Sequence, residues 1–339
     1  MGDRCFIIAE IGINHNGDLN LAKETIMAAQ NAGVDAVKFQ TFKAEEFIND
    51  EALTYTYESQ GREITESQIK MFKRYEFSLL EWEEIFEFCK KANILCFTTP
   101  QNKGDLDFIL SIADPPIIKV GSDDLTNLEL LKYYASKNIP MIISTGMSYE
   151  EEISDAIEAI RETGNKNLTV LHCISTYPTE DEDVNMKKML KISNDFNIPV
   201  GFSDHTRGEL ASIVAATLGA TVIEKHFTLN KKLPGPDHKF SANPAEMKRV
   251  VDSIRRVERI MGSSLLVPTP KEKEMREIAR RSIVTNKELS QGHILCREDL
   301  DFKRPGTGLS PKKIDDILGH ALKVDKKANE IILYEEISK

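Results

Sequence analysis

Between residues 5 and about 261 the chain alternates short apolar runs with longer stretches whose apolar residues recur every three or four positions. The runs are CFIIAEIG (5–12), DAVKFQT (35–41), ILCFTTP (94–100), PIIKVGS (116–122), PMIISTG (140–146), LTVLHCIS (168–175), IPVGFSD (198–204) and ATVIEKHF (220–227). They show little strict alternation of apolar and polar residues, which predicts strands covered on both faces. Between them, Trp82, Ile85, Phe86 and Cys89 form one helical stripe, and Ile153, Ala156, Ile157 and Ile160 another. Ser78 is placed as an N-cap, Gly33 and Gly164 follow periodic runs, and Pro140 and Pro199 open strands. This rhythm predicts an α/β fold in which a parallel sheet closes into a (β/α)8 TIM barrel. An open doubly wound sheet is the alternative. Against it, GINHNGD after the first run is not G-x-G-x-x-G, and the second run ends in KFQT rather than in an acidic residue.

One connection breaks the rhythm. The stretch from Phe42 to Phe77 is far longer than an ordinary strand-to-helix loop, so it is expected to form a lid or rim over the barrel mouth, with a short helix in ITESQIKMFKRY. After Met261 the character changes again. Residues 263–278 are expected to be a linker between a barrel domain (1–262) and a small domain (279–339) of short strands, with turns at NKELSQG and KKANE and a helix at PKKIDDILG. So short a segment makes only a modest core and is expected to pack on another surface.

The composition, 41% hydrophobic and 29% charged, suits a folded soluble enzyme. A formal charge of −10 argues against a general nucleic-acid or anionic-membrane binder, and no apolar run is long enough to span a bilayer. The N-terminus enters a strand without a signal-peptide core. Five scattered cysteines with no C-x-x-C pair are expected to be reduced packing residues in a cytoplasmic protein.

A barrel gathers the C-terminal ends of its strands at one mouth. Those ends offer Glu10, Asn14 and His15; Lys38 and Gln40; Thr98 and Thr99; Lys119, Ser122, Asp123 and Asp124; and Ser144. The later strands add His172, Ser175 and Tyr177; Asp204, His205 and Arg207; and Glu224 and His226. Alternation puts Lys38 with Gln40, and Glu224 with His226, on one face of their strands. Charge repeated at the same end of successive strands has no packing rationale and points to a site. His205 and His226 end neighbouring strands, where they could share a divalent cation or act as acid and base; a labile ion such as Mn(II) or Mg(II) would suit so sparse a set. Asp237, held in LPGPDHKFS between prolines, suits sugar hydroxyls or a rigid turn. Lys38 and Lys119, with Thr99, Ser122 and Ser144, could hold a phosphate and a carboxylate, or one lysine could form a Schiff base as in an aldolase.

The motifs IAEIGINHNGDLNLAK, AGVDAVKFQTF, IISTGM, LHCISTYPT, VGFSDHTRG, VIEKHFTLNKKLPGPDHKFS and FKRPGTG resemble the sialic acid synthase family along nearly the whole chain. The resemblance implies a (β/α)8 barrel followed by a SAF (antifreeze-like) domain, in a head-to-tail homodimer whose small domain covers the partner's barrel. It implies condensation of phosphoenolpyruvate with an N-acetylmannosamine-type aldehyde to a nine-carbon 2-keto acid. By the same resemblance His205 and His226 hold a divalent metal, usually manganese, with magnesium or cobalt as substitutes, and Glu10 lies beside the reacting centre. Lys38, Thr99, Lys119, Ser122, Ser144 and Ser175 fall at phosphoenolpyruvate positions. Gln40, Asp124, Tyr177, Asp237 and, from the partner, Arg304 fall at sugar positions. Two departures touch the pocket: Asp124 stands where the family pattern has glutamate, and Ser175 where some members have asparagine. LPGPDHK is more similar to the sialic and legionaminic branches than to the pseudaminic one. A Schiff-base aldolase and a non-catalytic carbohydrate-binding protein are the competing functions.

Overall fold

Eight strands form one parallel sheet: Phe6–Gly12, Ala36–Thr41, Leu95–Pro100, Ile118–Val120, Met141–Ser144, Leu168–Cys173, Val200–Asp204 and Val222–His226, strands one to eight. In this computed structural model, which describes residues 4–338, strand one pairs with both two and eight, so the sheet curls into a nearly closed barrel. The seam lies between strands three and four, which are neighbours without a backbone ladder. The sequence supplies a reason: Pro115 and Pro116 have no N–H to donate, and the run expected from 116 is a strand only over Ile118–Val120.

Alternation sorts the strand residues into two layers. Ile8, Ala36, Phe97, Ile117, Ile142, Leu171 and Val222 fill the barrel interior. Residues of opposite parity, such as Val37, Ile143, Val170, Phe202 and Ile223, pack outward in the larger core with the helices. The helices carry the expected stripes, with Trp82, Ile85 and Cys89 buried on Leu79–Lys91 and Ile153, Ala156, Ile157 and Ile160 on Glu150–Glu162. Ser78 caps the first of these in a reciprocal box with Glu81, and Gly33 ends Leu19–Ala32 at φ 89°, where a side chain would be strained.

The long connection after strand two contains a hairpin, Thr54–Ser59 with Arg62–Ser67, flanked by the short helices Ala44–Phe47 and Gln68–Lys73. The helix expected in ITESQIKMFKRY therefore covers only Gln68–Lys73, the residues before it belonging to the hairpin. Ile13, Phe42, Met71 and Tyr75 give this insertion its own small core, joined by edge-to-face contacts among Phe42, Phe47 and Phe72.

The chain divides into two compact units, one ending at Gly262 and the other beginning at Ser263. In the second, Ser282–Thr285 and Leu300–Lys303 form an antiparallel pair over a core of Ile283, Leu289, Leu295, Ile314, Ile317, Leu322, Ile332 and Ile337. The stretch 263–278, expected to be a linker, instead carries most of the helix Pro270–Ala279, which Thr269 caps by accepting from the Glu272 N–H. The helix expected at PKKIDDILG is a single 3-10 turn, Pro311–Lys313.

Candidate active site

Inward-facing residues at the C-terminal ends of the strands line a cavity of about 360 Å³. Strands one, two, four and eight contribute Glu10, Lys38, Lys119 and Glu224, all buried. Lys38 Nζ lies 2.8 Å from Glu10 Oε2 and 3.8 Å from Glu224 Oε2, and donates to Thr99 Oγ1 at 2.9 Å. Lys119 Nζ donates to Ser144 Oγ and to the Val120 carbonyl, both at 2.7 Å, and lies 3.9 Å from Glu224 Oε1. Glu224 also accepts from Ser203 Oγ at 3.0 Å. Two cations and two carboxylates thus balance one another in a place where a lone charge would be costly.

This balance shifts the groups' proton affinities. Burial, reinforced by Glu224, pushes the Glu10 carboxyl up to about 7 although Lys38 pulls the other way. Burial opposes ionisation of Glu224 too, but Lys119 and Lys38 outweigh it and hold that carboxyl below its ordinary value. Burial lowers Lys119, while for Lys38 the attraction of Glu10 and Glu224 overcomes burial and raises it.

Ser122, Ser175 and Ser144 lie on the same wall. Ser122 Oγ accepts from the Gly146 N–H at 2.9 Å, which frees its own proton for a ligand. A Cβ at position 146 would meet Ser175 Oγ at 2.1 Å and Ser122 Oγ at 2.7 Å, so the glycine of IISTGM lets these hydroxyls converge.

His205 and His226 complete the mouth with ring centroids 5.5 Å apart. The His205 Nδ1–H donates to the Ile174 carbonyl at 2.7 Å, so that in the neutral ring Nε2 is the bare nitrogen, and Ser203 Oγ lies 3.5 Å from it. His226 Nδ1 is buried without a hydrogen-bond partner and stands 3.8 Å from Asp237 Oδ2. Burial and the neighbouring His205 hold His226 well below its ordinary value, which favours a neutral imidazole with one ring-nitrogen lone pair to offer. Among the described residues no group of three or more His, Cys, Asp or Glu side chains is arranged as a metal site. The pair nonetheless fits a divalent ion that takes its other ligands from substrate and water.

A second cavity of about 260 Å³ adjoins the first and shares Gln40, Phe72, Tyr177 and His226 with it. Asp237 stands on its wall with a carboxyl that burial raises to about 6. Tyr177 packs against His205 with centroids 4.1 Å apart and ring planes tilted by 36°, and Gln40 Nε2 donates to Glu10 Oε1 at 3.3 Å.

Of the expected set, Glu10, Lys38, Gln40, Thr99, Lys119, Ser122, Ser144, Ser175, Tyr177, His205, His226 and Asp237 therefore come together. Asp124 does not. It lines neither cavity and accepts a long 3.4 Å contact from Asn127 Nδ2, while Asp123 takes the place on the wall. Arg304 belongs to the second unit, where it is exposed. Several other strand-end candidates leave the site because parity turns them outward or the loop carries them away. His172 Nε2 donates to the Val184 carbonyl, Thr98 pairs with Thr41, His15 stacks on Phe77, and Asn14 bonds to the Phe227 carbonyl and Ser241. Glu224, Ser203 and Cys173 were absent from the expected ligand set, yet each stands two residues before an expected one and so shares its face.

The NeuB family model matches residues 25–265 and the SAF domain model residues 280–338. The chain is 41% identical to the N,N'-diacetyllegionaminic acid synthase of Legionella pneumophila, over 98% of this chain and 94% of that one. It is 35% identical to a pseudaminic acid synthase of Campylobacter jejuni, over 97% and 95% of the two chains. Among solved structures, the N-acetylneuraminic acid synthetase of Leptospira borgpetersenii superposes with a TM-score of 0.73 at 32% identity, covering 81% of this chain and 91% of that one. The chain belongs to the NeuB family, enzymes of the sialic-acid-synthase class. Its reaction is a phosphoenolpyruvate-dependent condensation that yields a nonulosonic acid. No helix among the described residues is long and apolar enough to cross a membrane.

Proposed function

We propose that this enzyme condenses phosphoenolpyruvate with N-acetylmannosamine or its 2,4-diacetamido-2,4,6-trideoxy analogue, giving sialic or legionaminic acid and phosphate. The observation that carries this reading is the pair of adjoining cavities. One is walled by Lys38, Lys119 and hydroxyls, the other by Asp237 and Gln40, and Tyr177 and His226 stand at their junction. The greater identity to a legionaminic than to a pseudaminic acid synthase, 41% against 35%, favours the named sugars.

Lys38, Lys119, Thr99, Ser122, Ser144 and Ser175 hold the phosphate and carboxylate of phosphoenolpyruvate, cations and short donors being matched to those anions. Gln40, Tyr177 and Asp237 orient the sugar so that its open-chain aldehyde faces C3 of the enol. His205 and His226 would hold a divalent ion, with Mn(II) preferred and Mg(II) or Co(II) as substitutes, which supplies Lewis acidity toward the aldehyde oxygen when bound. As the new C–C bond forms, C2 becomes electron-poor, gains oxygen from water and then loses phosphate by C–O cleavage. Glu10, whose carboxyl sits at about 7, exchanges the proton at that centre near neutral pH. Arg304 serves the sugar site of a second copy in a head-to-tail homodimer. Reduced thiols, among them the four buried cysteines, suit a cytoplasmic enzyme.

The test is direct. Purified enzyme stripped of metal and resupplied with Mn(II) is given phosphoenolpyruvate with each sugar, and phosphate release and the mass of the keto acid are followed. Turnover with neither sugar, or full turnover without any divalent ion, overturns the reading.

A further inference from the structure

Each pocket histidine is preceded by a charged residue, Asp204 before His205 and Lys225 before His226. Parity sends both to the outer side of the barrel wall, away from the cavity. They stand opposite one another in the register of strands seven and eight, and Lys225 Nζ lies 2.9 Å from Asp204 Oδ2. Asp204 is 1% exposed and Lys225 3%.

Their remaining hydrogen bonds converge on the turn that carries His205. Asp204 Oδ1 accepts from the Thr206 N–H at 2.8 Å and from its hydroxyl at 2.7 Å. Lys225 Nζ donates to the Thr206 carbonyl at 2.8 Å, and the hydroxyl of Ser212, in the next helix, donates to Asp204 Oδ2. The residues on both sides of His205 are therefore tied to the residue before His226. On the cavity side, the Ile174 carbonyl fixes the His205 ring.

Stability does not call for this pair. The neighbouring outward positions, Val200, Phe202, Ile223 and Phe227, are apolar, and a buried ion pair is commonly no better for stability than well-packed hydrocarbon. What an ion pair supplies that hydrocarbon does not is a fixed register. We infer that Asp204 and Lys225 are positioning residues, which set the distance and aim of His205 relative to His226 so that the two imidazoles meet one divalent cation. This rests on the metal reading proposed above. Partners that orient ligating side chains typically matter about 10–100-fold in metal affinity.

The probe is Mn(II) alone, titrated into the full-length protein without substrates and followed by the electron paramagnetic resonance signal of the free ion. The variants are Asp204→Asn/Lys225→Met, which removes both charges together, and Thr206→Val, which keeps the ion pair and loses one hydroxyl. Phosphoenolpyruvate binding in metal-free protein, read by ligand-induced thermal shift, is the second measurement. The double variant should melt cooperatively, bind Mn(II) about tenfold or more weakly, and keep its phosphoenolpyruvate affinity, since Lys38 and Lys119 stand on strands two and four. Thr206→Val should show the same pattern, several-fold in size, and it decides the matter alone if the double variant does not fold. Mn(II) affinity equal to wild type, or parallel loss of both ligands, overturns the positioning role. Absence of Mn(II) binding by the wild type overturns the metal reading itself, and the inference with it.

Discussion

Lys38 Nζ lies 2.8 Å from Glu10 Oε2 inside a barrel mouth where both side chains are buried. Without a ligand the lysine's charge is answered by protein carboxylates, Glu10 first and Glu224 at 3.8 Å. An anionic substrate arriving at Lys38 and Lys119 competes with those carboxylates, so binding and proton affinity are coupled in this pocket.

The coupling has a definite sign at Glu10. Its carboxyl already sits at about 7. An anion placed beside Lys38 raises it further, because a like charge disfavours ionisation. Phosphoenolpyruvate binding near pH 7.5 should therefore take up a fraction of a proton. Calorimetry in two buffers of different ionisation heat measures it, and Glu10→Gln should abolish the Glu10 share. Equal uptake by wild type and variant would assign the proton elsewhere.

Glu224 is the counter-charge common to both lysines. Glu224→Gln leaves two buried cations short of a partner, which should lower the stability of the free enzyme by on the order of 3 kcal/mol. Phosphoenolpyruvate restores the missing negative charge, so its KM should fall and the rise in Tm on adding it should exceed that of wild type. A smaller rise than wild type would mean that Glu224 organises the pocket by geometry rather than by charge.

Asp123 and Asp124 separate cleanly. Asp123 stands on the cavity wall, whereas Asp124 is off it, with a carboxyl that burial and the adjacent Asp123 raise to about 6. Asp123→Asn should change the relative efficiency with the two candidate sugars about fivefold or more, since polar pocket groups discriminate strongly. Asp124→Asn should leave that ratio within about twofold. Measured kcat/KM ratios in the reverse order would return the selecting role to Asp124.

That pair also marks how far the sequence could be read. The eight strands and the histidine pair were legible because period and parity are local properties. Lys38 and Lys225 look alike in sequence, each a lysine in an apolar strand, and only parity sends one into the cavity and the other behind the wall. Glu224 shares its parity with His226, so its place was legible. Its service to both Lys38 and Lys119 was not, because those partners come from strands two and four. The choice between Asp123 and Asp124 lay in the single 3-10 turn Ser122–Asp124, where strand alternation no longer applies. The hairpin in the long insertion was not legible, because its residues are mostly exposed and lack an apolar period.

Away from the site, Asp105 is 5% exposed, and its Oδ2 has no hydrogen-bond partner. Burial, with Glu46 nearby, raises its carboxyl from 3.8 to about 6. A carboxyl raised on folding favours the native state below its unfolded value, and that contribution is lost as pH climbs through the folded value. Asp105→Asn removes the titration. Relative to wild type, the variant should gain on the order of 2–3 kcal/mol between pH 4 and pH 8, read from urea unfolding at each pH. A constant difference across that window would show Asp105 to be ionised throughout.

The last prediction concerns Arg304. It follows the strand Leu300–Lys303, is exposed, and makes no ion pair or hydrogen bond among the described residues. Its planar fork is free for an acyl carbonyl or carboxylate outside the domain. If that target is the sugar in a second copy's barrel, Arg304→Ala should raise the sugar's KM and leave Mn(II) binding and folding intact. Placement in trans has a sharper consequence. With the sugar held well below the raised KM, Arg304→Ala chains and His205→Ala chains should each show little activity alone. In a mixed dimer one mouth carries both lesions, while the other combines an intact His205 with the partner's intact arginine. After complete subunit exchange at equal concentrations, half the dimers are mixed and each has one working mouth, so activity should return to about one quarter of wild type. Mixed dimers verified by native mass measurement that remain inactive would remove Arg304 from the partner's site.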